Sequence, residues 1–467
     1  MSAVVQSAGQ PHRHAALVVG APARLFAFDH AGTVDVARFT REVRAVASLL
    51  PAGGFAVNLC EDRYRFTVAL CAAALRGQTT LLPPSRAPAV VAEVLAQHRG
   101  SYALVDVLAS DDETYGAEAT GNSPLYWPLP AVLPQRDGDT LAVPEDLLIA
   151  VGYTSGSTGQ PKANPKTWAS FRASTAQNLA ALGDLLDSGR VTPVVATVPP
   201  QHMYGLEMSV LLPLLGPLAV HGARPFFPED IARALGDAPS APLLVTTPVH
   251  LRALVESGMQ LPPLRGIVSA TAPLSRELAL AAEQRFGCEV REVFGSTETC
   301  VIARRRTAHE VEWTPLPGVH LASQPDGTAV HAPHLAQPVV LADLVEVRAD
   351  GRFALRGRNA DLLEIAGKRA SLGDLTRRLL AVPGVRDGVV FQLDPCERNG
   401  VARIAALAVA PGLDAADVLA SLREHVDPVF LPRPLRLVAA LPRNETGKLP
   451  HDALAWLLRN PDTASTD

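Results

Sequence analysis

The sequence predicts an α/β protein. It has a large layered N-terminal domain with mostly parallel sheets and a small α+β C-terminal domain. Three observations carry this. The chain has 467 residues, and at about 150 residues per domain that suggests two or three domains. Apolar strand-like runs alternate with helical ones over most of the length, the pattern of βαβ units. Near residue 340 that rhythm stops and hairpin signals begin.

Phe55–Leu59 (FAVNL) reads as a buried strand. Asp62 can cap a helix running to about Arg76, Gly77 closes it, and Thr79–Leu82 starts the next strand. Such a unit implies a parallel sheet with a right-handed crossover. Further strands are expected at Leu147–Gly152, Pro193–Val198, Leu243–Thr246, Gly266–Ser269 and Glu289–Val293, with helices from Val249 and over Ser275–Phe286. The polar, Pro-rich segment Ser110–Glu145 reads as a surface connection. Leu341–Arg348 and Arg352–Arg356, separated by Ala349-Asp350-Gly351, read as a hairpin. A tail follows: strand Leu362–Ile365, helix Leu372–Leu380, strands Val385–Phe391 and Ile404–Val409, helix Ala415–Val426 and a last helix from Asp452. The expected division is 1–357 and 358–467.

Composition excludes several classes. The net charge of −5 gives no basic footprint for nucleic acid and no polybasic membrane patch. The longest apolar stretch, Met208–Val220, holds Pro213 and Pro217 and is too short to span a bilayer. Five widely spaced cysteines without a CxxC point to a reducing, cytoplasmic compartment. No HxxxH or HExxH spacing suggests zinc. Of 42 basic residues only Lys162, Lys166, Lys368 and Lys448 are lysine. Where arginine serves almost everywhere, a retained lysine marks a place that needs a compact ammonium.

The sharpest segment is Tyr153-Thr-Ser-Gly-Ser-Thr-Gly-Gln-Pro-Lys162. It follows a strand and combines Thr154, Ser155, Ser157 and Thr158 with Gly156, Gly159 and Lys162. Glycines let N–H groups turn toward an anion, hydroxyls donate to phosphate oxygens, and a lysine neutralises them. It is not the nucleoside triphosphatase loop, because Pro161 precedes the lysine.

This segment resembles the phosphate loop of the adenylate-forming superfamily: acyl-CoA synthetases, aryl-acid ligases, nonribosomal peptide adenylation domains and firefly luciferase. The resemblance extends over about residues 50–455, with further segments in the same order. Val293-Phe-Gly-Ser-Thr-Glu298 is similar to the aromatic-Gly-x-Thr-Glu motif. It implies that Phe294 stacks on adenine, Thr297 bonds the α-phosphate and Glu298 helps hold Mg²⁺. Ser269-Ala-Thr-Ala-Pro-Leu274 resembles a loop that usually reads Gly-Gly-Ala-Pro-Leu. Ala272 would pack on the nucleotide, while Ala270 and Thr271, replacing glycines, would narrow the acyl pocket. Pro199-Pro-Gln-His202-Met-Tyr-Gly-Leu206 resembles a motif whose histidine or aromatic side chain gates the carboxylate's path. His202 is thus a candidate catalytic and pocket residue, beside Tyr204. Amino-acid-specific adenylation domains carry an aspartate in this region. None lies between Ser188 and Pro228, which favours an uncharged acyl or aryl acid.

Asp343 and Arg358 match in spacing the family pair that holds the ribose hydroxyls. Leu441-Pro-Arg-Asn-Glu-Thr-Gly-Lys448 resembles the C-terminal motif ending in the catalytic lysine. Lys368 falls in a turn similar to one near the thioester step, and Lys166 has no assigned role. Either Ala360 or Asp361 occupies the hinge, and the resemblance implies that the small domain is mobile. The implied reaction uses ATP and Mg²⁺ to form acyl- or aryl-AMP with release of pyrophosphate. The acyl group then passes to the pantetheine thiol of an acyl carrier protein or of CoA. Asn58–Phe66 with Leu81–Ser85 is similar to small bacterial ligases that prime carrier proteins for aryl-polyene-type pigments. The rivals are a medium-chain acyl or aryl CoA ligase and a nucleotide-binding homologue without turnover.

Overall fold

The structure, a computed structural model, describes residues 13–106, 125–154, 162–324, 327–358, 362–365, 368–393, 403–444 and 449–460. The chain divides into two compact units. The first holds residues 1–310, 315–319 and 332–337, and the second holds 311–314, 320–331 and 338–467. The sequence-based division at 357/358 leaves the Asp343–Arg358 hairpin with the large domain, whereas here the hairpin groups with the C-terminal unit.

Two large sheets build the first unit. One has six strands in the order Lys162–Thr167, Leu148–Thr154, Thr79–Leu82, Phe55–Asn58, Tyr102–Val105, Leu125–Pro128. Its neighbours are parallel except the first pair. Both edge strands carry a proline, Pro165 and Pro128, where a missing ladder donor costs least. Eight strands of the other, nine-stranded sheet run in the order Cys300–Arg305, Val290–Ser296, Gly266–Ser269, Leu243–Thr246, Thr192–Ala196, Leu218–His221, Leu25–Asp29, Gly32–Asp35. It is parallel from Val290–Ser296 through Leu25–Asp29. Helices cover the strands, and each is started by its own sequence. Asp62 accepts from Arg65 N, Thr247 from His250 N and Ser275 from Leu278 N, satisfying donors that a first turn leaves open. Gly287, at φ 65°, closes the helix Arg276–Phe286 in a conformation glycine adopts freely. Val195, Leu244, Ile267, Leu251 and Leu278 fill the core between sheet and helices.

One expectation is corrected. The stretch expected as a surface connection contains two strands. Leu125–Pro128 extends the six-stranded sheet, and Ala142–Pro144 pairs antiparallel with His14–Ala16. Both are short and end in proline, which masked them among turn-like residues.

In the second unit, His320–Gln324, Gly327–His331 and Val339–Val340 form an antiparallel sheet. Asp343–Val347 and Phe353–Arg358 form the expected hairpin, turning at Gly351 with φ 85°. Asp387–Leu393, Arg403–Val409 and Leu435–Leu437 form a third sheet. Successive residues of its strands alternate faces. Val390, Ala406 and Ala408 pack with Leu379 and Val418, while Phe391, Ala405 and Leu407 pack with Leu454 and Leu458.

Candidate functional site

The strands Leu148–Thr154 and Lys162–Thr167 pair with Thr154 opposite Lys162. The glycine- and hydroxyl-rich segment therefore joins the two strands of a hairpin. Ser155, Gly156, Ser157, Thr158 and Gly159 lie outside the described residues. At the mouth of this hairpin Thr154 Oγ1 is 3.5 Å from Glu298 Oε1. One turn deeper, a Cβ built on Gly152 would lie 2.7 Å from Thr297 Cγ2 and 3.3 Å from Met203 Cε. Three sequence-distant motifs thus converge on one glycine, which must lack a side chain for them to meet. Lys162 is exposed, whereas Lys166 is only 4% exposed and donates from Nζ to Glu298 O at 2.8 Å.

The strands Thr192–Ala196, Leu243–Thr246, Gly266–Ser269 and Val290–Ser296 run parallel, so their carboxyl ends share one edge. Ligands of open α/β sheets commonly bind beyond this edge. His202, half-buried, precedes the short helix Met203–Leu206. That helix lies close on Pro199, since a Cβ on Gly205 would be 2.0 Å from Pro199 O. Tyr204 is buried, with its hydroxyl 3.1 Å from Thr246 O and 2.9 Å from Val268 O. The hydroxyl is committed to the sheet. Ala270 is buried and Ala272 half-buried. Thr271 is exposed and sits at φ 80°, a strained place for a β-branched residue and one suited to the glycine it replaces. Glu292 ties this loop to the next motif. Its carboxylate accepts from Leu274 N at 3.3 Å, from Arg305 Nε at 2.7 Å and from Thr307 Oγ1 at 2.6 Å. Phe294, two residues on, is half-buried.

Glu298 is half-buried, with Thr154 Oγ1 at its carboxylate. Among the described residues no three His, Cys, Asp or Glu side chains cluster to hold a metal by themselves. A lone carboxylate beside a hydroxyl fits a hard cation that takes its remaining ligands from phosphate and water.

In the second unit Asp343 and Arg358 are direct partners across the hairpin. Lys368 opens the strand Lys368–Ser371 opposite Ile365. Ala360, Asp361 and Lys448 lie outside the described residues.

The sequence reading had no role for Gly152, Lys166, Glu207, Glu292 or His334, though all bear on this site. The scarcity of lysine was the one signal pointing to Lys166.

The profile of the AMP-binding enzymes matches residues 14–325, more than half of the chain. The chain belongs to that family. It is an enzyme of the adenylate-forming type, which binds ATP and ligates carboxylic acids. Its relatives include a 4-coumarate–CoA ligase of Rhodobacter capsulatus, 31% identical over 318 residues covering 66% of this chain and 77% of the relative. The phosphinothricin tripeptide synthetase PhsC of Streptomyces viridochromogenes is 29% identical over 412 residues, covering 77% of this chain and 35% of the synthetase. The crystal structure of ATP-bound MatB from Rhodopseudomonas palustris shares the fold, with a TM-score of 0.79 at 18% identity over 95% of this chain and 97% of that one. Among the described residues of this ligase no helix is long and apolar enough to cross a membrane.

Proposed function

We propose that this ligase activates an uncharged aryl or acyl acid with MgATP and passes the acyl group to the pantetheine thiol of a discrete carrier protein. The observation that carries the reading is the convergence at Gly152, where the hairpin bearing Thr154 and Lys162 meets Thr297 and the helix after His202. Phosphates held by Thr154, Ser155, Gly156, Ser157, Thr158, Gly159 and Lys162 would place the α-phosphorus near Thr297. The substrate carboxylate, admitted past His202, attacks that phosphorus in line and pyrophosphate leaves. Such displacement depends mostly on positioning and charge stabilisation. Glu298 would hold Mg²⁺, which neutralises the phosphate charge when bound. Phe294 and Ala272 would contact adenine, and Asp343 and Arg358 the ribose. Lys448 would bridge the attacking carboxylate and the α-phosphate as negative charge builds.

Preference for an uncharged acid has a further support. The acidic side chain of the stretch between Ser188 and Pro228 is Glu207, and its oxygens accept from Val301 N at 3.0 and 3.2 Å. It is therefore occupied and does not offer itself to a substrate ammonium. The acceptor is read from the likeness of 58–66 and 81–85 to carrier-priming ligases, with rotation about Ala360 or Asp361 presenting the acyl-AMP to the thiol.

ATP–pyrophosphate exchange with a panel of carboxylic acids tests the first half. An aryl or acyl acid should support exchange and amino acids should not; nucleotide binding with no exchange for any acid would favour a non-catalytic homologue. Lys448→Ala should cut adenylation by ~10²–10³-fold, as loss of one charge-stabilising donor does, yet spare thioester formation from supplied acyl-AMP. Equal loss of both half-reactions would reject its role. Direct competition between CoA and carrier protein for the acyl group decides the acceptor.

A further inference from the structure

We infer that Lys166, Glu207 and His334 form a buried brace that positions the Thr297–Glu298 turn for nucleotide and metal. The inference deepens the proposed function and rests on its assignment of Glu298. The turn leaves the strand Val290–Ser296 and re-enters the sheet as Cys300–Arg305. It is tight: a Cβ on Gly295 would lie 2.1 Å from Cys300 O, and Cys300 itself has φ 57°. A reversal of this kind does not hold itself in place.

Two of the three side chains grip main-chain groups of the turn, and the third grips the strand just after it. Lys166 Nζ donates to Glu298 O at 2.8 Å. His334 Nε2 is 2.6 Å from Thr299 O. Glu207 accepts from Val301 N with both oxygens, at 3.0 and 3.2 Å, and from Asn178 Nδ2 at 3.1 Å. All three are buried, Glu207 to 1% exposure. They come from separate elements: the hairpin strand Lys162–Thr167, the turn of π-helix Glu207–Leu211 and the loop 332–337. Burying an ammonium and a carboxylate is costly unless both are well bonded. Here the bonds go to the backbone that carries Glu298. Lys166 also lies on the strand that begins with Lys162, so one strand serves both the phosphate hairpin and the metal-holding turn. The three are positioning residues, acting through Glu298 and Thr297.

The test uses the full-length chain. MgATP binding is measured by calorimetry without acid, and pyrophosphate exchange is measured against Mg²⁺, ATP and acid concentration. Lys166→Met keeps the side-chain length and removes the ammonium; it should weaken MgATP binding and raise the half-saturating Mg²⁺ about tenfold, the usual effect of losing an outer-shell partner. KM for the acid should stay within about twofold of the starting value, since no acid contact changes. If Lys166→Met does not fold by thermal melt, Glu207→Met, similar in length but without either acceptor oxygen, should show the same split. Lower kcat with unchanged Mg²⁺ and ATP dependence in whichever variant folds means fewer active molecules and overturns the brace. Glu298→Gln is the control. If it too leaves Mg²⁺ and ATP dependence unchanged, the assignment of Glu298 has failed. If it shifts them and Lys166→Met or Glu207→Met does not, the brace alone has failed.

Discussion

His250 shows how burial at one residue becomes a property of the whole ligase. Its Nδ1 lies 2.9 Å from Thr197 Oγ1 and 3.2 Å from Thr247 Oγ1, and Phe226 packs edge-on at 4.9 Å. Burial, aided by the nearby Arg224 charge, lowers the imidazole from 6.5 to about 4. The unfolded chain takes up a proton below pH 6.5 that the folded chain refuses until about pH 4. Stability is therefore full above that window and falls as pH drops through it, by about 3 kcal/mol for this residue. His250→Asn should remove this share of the acid loss; urea unfolding of both proteins at pH 7 and pH 4.5 measures it, and equal losses would refute it. Thr271 carries strain of another kind, at φ 80°. Thr271→Gly should raise unfolding free energy by about 1 kcal/mol, relief of strain outweighing glycine's entropy cost. A drop in denaturant midpoint would argue against that balance.

Glycines govern the elements around the site. Gly152→Ala would press a methyl to 2.7 Å from Thr297 Cγ2, in the strand that leads to Thr154. Pyrophosphate exchange should fall by about tenfold or more, because small misplacements at a reacting centre are expensive, while the melting temperature moves little. An unchanged rate would mean that Thr297 tolerates displacement. Gly205→Ala is harsher: its Cβ would meet a backbone oxygen at 2.0 Å, so loss of folding is expected. Elements of this kind were legible where local chemistry was unambiguous. Asp62, Ser275 and Gly287 mark helix ends in the sequence and do so in the structure. The hairpin was legible, but the facing of Asp343 and Arg358 was not: it depends on a register shift between Leu344 and Val345, without which Asp343 would face Gly357. Leu125–Pro128 was not legible, because an edge strand of four residues ending in proline has no periodicity to read. Nor were Glu207 and His334, whose importance lies in backbone groups more than thirty residues away in the chain, Val301 N and Thr299 O.

At the scale of the molecule, the family was readable because short motifs carry it; the partition of the chain was not. Sequence rhythm changes near 340, yet the second unit already claims 311–314 and 320–331. Trp313 explains part of this, since its N and O pair with Phe353 O and N at 2.7 and 3.1 Å. Among the described residues, two apolar clusters of the C-terminal unit nonetheless lie within 372–458. A fragment 358–467 should therefore unfold cooperatively on its own; a broad, non-sigmoidal melt would mean that the strands before 358 are required. The back-and-forth course between 310 and 338 sets a rule for recombination. Strand 327–331 pairs with 339–340 across a stretch, 332–337, that belongs to the other unit. No single crossover in that interval trades one unit for a relative's without leaving foreign segments stitched into the remaining one. Chimeras of this ligase need paired junctions, or a seam after the hairpin at the cost of a hybrid lobe.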